Sequence, residues 1–184
     1  MCFRILLIAL IAVLAGCVDF KSGSHWRTES NGWKTQPKPY YAFEWISYQC
    51  NSSPLTVATS GFNESSIATF FLFPIASLGK ATYPETLRVF AISENLKNHC
   101  SPPTKDLFKV KVNGRTNTHY TIAQTLKAES CLIEIMESPE TIGSFEIQAN
   151  EELLKCDINP LKVYRNVHYC LRGTRFGGSE SCGY

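Results

Sequence analysis

Apolar and polar residues alternate in short stretches along most of the chain from residue 40 onward. A period of two places alternate side chains on one face of a strand, so the pattern predicts half-buried β-strands. The clearest apolar sets are Leu87, Val89, Ala91, then Phe108, Val110, Val112, and then Cys131, Ile133, Ile135, Phe145, Ile147, Ala149, Leu161 and Val163. About eight such segments, separated by turn-rich loops, predict an all-β fold with a single antiparallel β-sandwich.

Two stretches depart from simple alternation. The run from Ser66 to Leu78 is almost continuously apolar and is interpreted as one buried strand that breaks at Pro74, because proline cannot donate to a sheet ladder. Asn113-Gly114 follows the strand that contains Val110, and this dipeptide favours a two-residue type I′ hairpin. The turn would set Val110 opposite the polar Asn117, so the returning strand is expected to lie at an edge or to leave the sheet early.

The N-terminus has the layout of a secretory signal. Arg4 is followed by an apolar run, Ile5 to Val13, that is shorter than the roughly 20 residues of a membrane-spanning helix. The residues that follow, Leu14-Ala15-Gly16-Cys17, resemble the lipobox of bacterial lipoproteins. The resemblance implies cleavage before Cys17, a diacylglycerol thioether on its sulfur and acylation of its new amino group. Residues 1–16 are therefore expected to be a signal peptide, with the mature chain attached to a membrane through Cys17.

The residue after Cys17 bears on the location of the protein. In enterobacterial lipoproteins an Asp at this position resembles a signal for retention at the inner membrane, and this chain has Val18 there. The expected location is therefore the periplasmic face of the bacterial outer membrane. Asp19, one position later, leaves retention at the inner membrane open.

The mature chain divides by composition into two parts. Residues 17–39 are polar and turn-rich and are expected to form the lipidated N-terminus and a tether, while residues 40–184 are expected to form the sandwich domain. Trp26 and Trp33 are unusual in a tether. They could pack back on the domain, lie at the lipid interface or touch a partner, and packing back is the favoured alternative.

The cysteine count agrees with an oxidising compartment. Cys2 leaves with the signal and Cys17 carries lipid, so six of the eight cysteines remain, an even number that predicts three disulfides. The sequence does not choose among the possible pairings. The expected pairing is sequential, and the last bond is favoured because its loop is short and glycine-rich: Cys50–Cys100, Cys131–Cys156 and Cys170–Cys182.

Charge and motifs favour binding over catalysis. Without the signal the chain has 17 basic and 16 acidic side chains, so nothing favours nucleic acid as a partner. No GxSxG, P-loop, GxGxxG, HExxH or CxxC motif is present, and the four histidines are scattered. The sequence therefore predicts a protein without enzymatic activity, cofactor, metal or small-molecule substrate, although an unfamiliar active site stays open.

Acidic residues are concentrated in one part of the chain. Between Lys127 and Lys155 there is no Lys or Arg but there are seven acids, Glu129, Glu134, Glu137, Glu140, Glu146, Glu151 and Glu152. One interpretation is a solvated face whose neighbours neutralise it. The other is an acidic edge that docks on a basic partner. Glu137 and Glu140, at the tip of a predicted hairpin, are then the first partner-binding candidates.

The chain lacks catalytic motifs and combines a lipobox with a disulfide-stapled β-domain, in which Pro160-Leu161 to Arg165 follows the cysteine-rich region. In these features it resembles periplasmic immunity lipoproteins paired with type VI secretion effectors. The resemblance implies an immunity protein or inhibitor that binds a secreted toxin. The alternative is a structural or accessory lipoprotein of an envelope assembly, such as a secretion, conjugation or pilus machine, in which an exposed edge strand adds to a partner's sheet.

Overall fold

A computed structural model of the protein describes residues 18–35, 44–50, 53–60, 63–70, 73–79, 84–101, 106–126 and 130–173. Strands dominate these residues, and two antiparallel sheets pack together, which confirms the predicted all-β sandwich. The strands are β1 Val18–Thr28, β2 Trp33–Thr35, β3 Glu44–Tyr48, β4 Leu55–Thr59, β5 Asn63–Phe70, β6 Phe73–Gly79, β7 Leu87–Ile92, β8 Phe108–Val112, β9 Arg115–Thr116, β10 Tyr120–Gln124, β11 Ser130–Ile135, β12 Ser144–Ala149 and β13 Leu161–Gly173. A 3₁₀ turn, Glu94–Leu96, and a short helix α1, Glu151–Leu154, complete the described elements.

The chain divides into two compact units, and strands β1 and β13 contribute to both. The sandwich unit comprises the described residues between 24 and 60 and between 84 and 166. Of the described residues, the hairpin unit comprises 18–23, 63–70, 73–79 and 167–173. Each unit has its own architecture.

The sandwich unit buries the alternating apolar residues predicted from the sequence. One of its sheets has the strand order β10-β11-β7-β4-β3-β2, and in the other β13, β12, β8 and β9 follow β1. Val89 and Ile133 are paired across β7 and β11, and both are fully buried. Arg88, between two buried positions of β7, is exposed. The period-two pattern therefore identified the inward faces of these strands correctly.

The hairpin unit corrects the interpretation of Ser66 to Leu78 as one strand. The run forms two antiparallel strands, β5 and β6, with Phe70 paired to Phe73. Pro74 lies inside β6, opposite Thr69 and next to a shift in the register. A sheet tolerates proline on a terminal strand because the missing N–H can face away from the ladder, and β6 is terminal in its sheet.

The tether predicted for residues 17–39 is wrong for most of its described length. Val18–Thr28 and Trp33–Thr35 are strands. Trp26 is 3 % exposed and its indole N–H donates to the carbonyl of Ser60 at 3.1 Å. Trp33 is also buried, and its indole N–H donates to the carbonyl of Asn159 at 2.9 Å. The favoured alternative, packing back on the domain, is confirmed, because a large buried indole with a satisfied N–H stabilises the strand that carries it.

The predicted sequential disulfides are wrong for four cysteines. Cys50 is bonded to Cys156 and Cys100 to Cys131, with Cα–Cα distances of 5.5 and 5.8 Å. Disulfide geometry demands Cα atoms within about 7 Å, so the packing of strands decides the pairing and adjacency in sequence does not. Cys170 is disulfide-bonded as well. Cys182 lies outside the described residues, so the Cys170–Cys182 bond stays a prediction.

Candidate functional site

The β8–β9 hairpin shapes one margin of the sandwich unit. Asn113 and Gly114 have φ angles of 49° and 77°, the two positive values that a type I′ turn requires, so the predicted turn is confirmed. The Asn117 N–H donates to the carbonyl of Val110 at 2.9 Å, which agrees with the predicted position of Asn117 opposite Val110. The chain then leaves this sheet, because β10 pairs with β11 in the other sheet. The short return strand was predicted correctly.

The departure of the chain from β9 to β10 opens a groove of about 780 Å³ between the two strands and β8. Phe108, Val110 and Ile122 are among the apolar residues of its lining. The Tyr120 hydroxyl donates to the carbonyl of Phe108 at 2.7 Å, which links the facing margins of the two sheets. Burial of this hydroxyl, together with the nearby carboxylate of Asp106, raises the pKa of Tyr120 above its ordinary value.

The groove is lined by a mixture of apolar and polar side chains. No Ser, Cys or His is among the residues described as lining it. Two of its charged residues are paired with each other, since Lys111 Nζ lies 2.7 Å from one carboxylate oxygen of Glu146; Lys162 Nζ lies 3.7 Å from the other oxygen. In the described part of the chain no three His, Cys, Asp or Glu side chains are grouped as metal ligands would be. The groove therefore presents the exposed charged side chains of Asp106 and Lys109 together with threonine hydroxyls, side-chain amides and backbone groups.

The register of β10 shows which backbone groups point away from its partner strand. Thr125 N–H donates to Ser130 C=O at 3.1 Å, and Met136 N–H donates to His119 C=O at 3.0 Å. Antiparallel ladders alternate hydrogen-bonded and non-hydrogen-bonded pairs, so the backbone of Thr121 also faces β11. The N–H and C=O of Ile122 therefore face the outer edge of the sheet, beside the groove.

Most terminal strands of the described sheets carry features that discourage pairing with another chain. Strand β6 contains Pro74 and irregular register, β9 has two residues including the exposed Arg115, and β2 has three residues including the exposed Lys34. Proline, edge charge, irregular pairing and short length are the devices by which natural sheets avoid edge-to-edge association. Strand β10 has five residues, unbroken register and no charge or proline. Its edge is therefore the one in the described chain that is open to a further strand.

The β10 edge was missed in the sequence, although a signal was present. Tyr120, Ile122 and Gln124 are partly buried, whereas Thr121 and Ala123 are exposed, as the period-two pattern of a strand requires. The stretch follows a polar return strand and contains small side chains. Its alternation is consequently weaker than that of β7 or β8.

The two predicted partner-binding acids do not lie at a hairpin tip. Glu137 and Glu140 follow β11 and precede β12, but these strands belong to different sheets, so the connection crosses between the sheets. The Glu137 carboxylate accepts a hydrogen bond from the Asn117 amide at 2.9 Å, and its carbonyl accepts the Leu87 N–H at 3.1 Å. Glu140 is exposed, and its backbone carbonyl accepts a bond from Arg165. The prediction that Glu137 and Glu140 lie at a hairpin tip was wrong, because the alternating pattern identifies strands but does not show which strands pair.

Other acids of the same stretch have internal partners. Thr86 and Arg88 donate to Glu134 at 2.9 and 3.1 Å, and these hydrogen bonds lower the pKa of Glu134. Glu146 lies between Lys111 and Lys162. Glu129 lies outside the described residues. The contacts of Glu134 and Glu146 agree with the interpretation in which neighbouring side chains neutralise the acids.

The charge reversal Glu140→Lys is expected to leave the free energy of unfolding within about 0.5 kcal/mol of wild type, because the side chain is exposed. Glu137→Lys is expected to lower it by about 1–2 kcal/mol, because the Asn117 amide loses its charged acceptor. Urea unfolding of both variants checks these values. Glu140→Lys is thus the cleaner test of the acidic edge, and unchanged affinity of that variant for a partner would rule out a role for Glu140.

The predicted lipidation site lies outside the described residues, so modification of Cys17 stays a prediction. Within the described part of the chain, the helices are too short to cross a bilayer. No family model, curated protein or solved structure matches the chain.

Proposed function

We propose that the mature chain is a lipid-anchored periplasmic protein that acts by binding another protein, as an immunity protein that neutralises a secreted toxin. The observation that carries the proposal is the open edge of β10 beside the groove. An extended segment of the partner would pair with the outward N–H and C=O of Ile122. Main-chain bonds then supply affinity, and the neighbouring groove supplies specificity for the partner's side chains.

The scaffold supports this mode of binding. Strand β10 pairs with β11, whose Ile133 and Ile135 are buried in the core. Cys131 of β11 is also disulfide-bonded to Cys100. An edge that is held in its strand conformation before binding loses less conformational entropy when a partner pairs with it. The lipobox contributes the location, since it would hold this surface in the compartment where envelope toxins act.

The same edge favours a second candidate, an accessory lipoprotein of an envelope assembly, because strand addition also joins the subunits of such assemblies. The identity of the partner separates the two. A photo-cross-linking residue at Thr121, exposed on β10, should capture the partner, and one at Thr35, exposed on the terminal strand β2 of the same sheet, should not. A captured hydrolase favours the immunity protein, and a captured envelope subunit favours the accessory lipoprotein.

The substitution Ile122→Pro is expected to abolish partner capture, because it deletes the outward N–H while leaving the ladder to β11 intact. Ile122→Ala is the matched control, since it removes side-chain volume and keeps the N–H. The measurement is the amount of partner retained by the immobilised, oxidised protein, with thermal unfolding of both variants alongside. Equal retention by the two variants would contradict strand addition at β10.

A further inference from the structure

One face of the hairpin unit carries exposed aromatic and apolar side chains. Val167 and Tyr169 lie two residues apart on β13, hence on one face, and are 51 % and 69 % exposed. The rings of Phe20 and Tyr169 stack, with centroids 6.1 Å apart and an interplanar angle of 22°. Phe20 on β1 therefore shares this face. We call Phe20, Val167 and Tyr169 the apolar face.

The opposite face of β1 is buried. Lys21, adjacent to Phe20 on β1 and therefore pointing the other way, is only 2 % exposed. The described strands of this unit form a single sheet, in the order β6-β5-β1-β13. A sheet normally buries its apolar side chains against a second layer. We therefore expect Phe20, Val167 and Tyr169 to be covered by another molecule.

The position of the predicted lipid identifies the occupant. Strand β1 begins at Val18, the residue directly after Cys17, so no tether separates the lipid from the sheet. Three residues of extended chain span at most about 11 Å, which keeps Phe20 within that distance of the lipidated residue. We infer that the apolar face rests on the surface of the bilayer that holds the lipid, an inference that depends on the proposed lipid anchor.

The chemistry of the face fits the interfacial region of a bilayer. Phenolic side chains settle where an apolar ring and a polar hydroxyl can each find a suitable environment, and Tyr is enriched at membrane–water interfaces. Contact with the bilayer would also remove the apolar surface of Val167 and of the Phe20 ring from water. The acyl chains supply the bulk of the anchoring energy, at about 0.8 kcal/mol per buried CH₂, and the apolar face orients the sheet relative to the membrane.

The test uses the full lipidated protein with Tyr169→Trp, reconstituted in phosphatidylethanolamine–phosphatidylglycerol vesicles that contain lipids brominated near the start of the acyl chains. The matched control is Tyr164→Trp, because Tyr164 is also exposed, at 46 %, and lies five residues away on the same strand, about 17 Å along it. We expect the brominated lipids to quench most of the emission added by tryptophan at position 169. Tryptophan at position 164 should lose much less.

Mass spectrometry of the N-terminal peptide shows whether Cys17 carries lipid, and so tests the anchor independently of the position of the apolar face. A lipidated, vesicle-bound protein whose tryptophan at position 169 is not quenched overturns the inference and leaves the anchor standing. An unmodified Cys17 overturns the anchor and the inference together. Self-association of the lipidated protein in detergent that Tyr169→Ser abolishes would show that a second copy covers the face, and it too overturns the inference. Intact disulfides and an unchanged circular dichroism spectrum confirm that each variant is folded.

Discussion

Removal of the Cys50–Cys156 bond by Cys50→Ala together with Cys156→Ala is expected to lower the free energy of unfolding by about 4.7 kcal/mol. The two cysteines are 106 residues apart, so the bond closes a long loop and removes much of the conformational freedom of the unfolded chain. Both side chains are almost fully buried, which adds a small loss of packing. Urea unfolding under oxidising conditions measures the difference.

The second disulfide provides an internal comparison. Cys100 and Cys131 are 31 residues apart, and the same chain-entropy relation gives about 3.7 kcal/mol for their removal. The double alanine variant of this pair should therefore be the more stable of the two. The reverse order would show that native packing around Cys100 and Cys131, rather than loop length, decides how much each bond stabilises the fold.

The substitution Trp26→Ala is expected to lower the free energy of unfolding by about 3–5 kcal/mol, the range found for large buried aromatic residues. The indole is 3 % exposed, donates its N–H to Ser60 and packs edge-on against Phe145 with ring centroids 5.1 Å apart. Removal leaves a cavity and an unsatisfied carbonyl. Thermal and urea unfolding of the oxidised domain give the value.

Arg27→Ala is the control for Trp26→Ala, because the next residue of the same strand is exposed. Its effect should stay within about 0.5 kcal/mol. Neither substitution would matter if residues 17–39 were a tether. Equal stability of the two variants would therefore restore the tether and would also remove the basis for placing the apolar face near the membrane.

Local signals in the sequence predicted local structure well. The Asn113-Gly114 turn and the buried positions of β7, β8, β11 and β12 depend on φ preferences and on alternation, both of which act within a few residues. The predicted polarity of the strand after Gly114 even indicated that it would leave its sheet. These predictions succeeded because residues close together in the sequence determine both the turn conformation and the face on which each side chain lies.

Errors arose where distant residues decide. A tether and a strand inside a sheet can have the same polar composition. Trp26 on β1 belongs to the core because it packs against Phe145 and its indole N–H is bonded to the carbonyl of Ser60. Alternation predicted β11 and β12 without showing that they lie in different sheets, so Glu137 and Glu140 were placed on a hairpin that does not exist. The sequence carries a weak alternation for strand β10. That pattern does not show which strands pair with β10, so the open edge could not be predicted from it.

The sequence by itself determined the all-β class, the inward faces of the central strands, the type I′ turn and the expectation of a lipid at Cys17. Each depends on a short-range pattern. Only the tertiary structure decided that Cys50 pairs with Cys156, that β10 ends its sheet and that the first residues after Cys17 form a strand. These features depend on which strands pack together, and that choice is made by burial and hydrogen bonding summed over residues far apart in the chain.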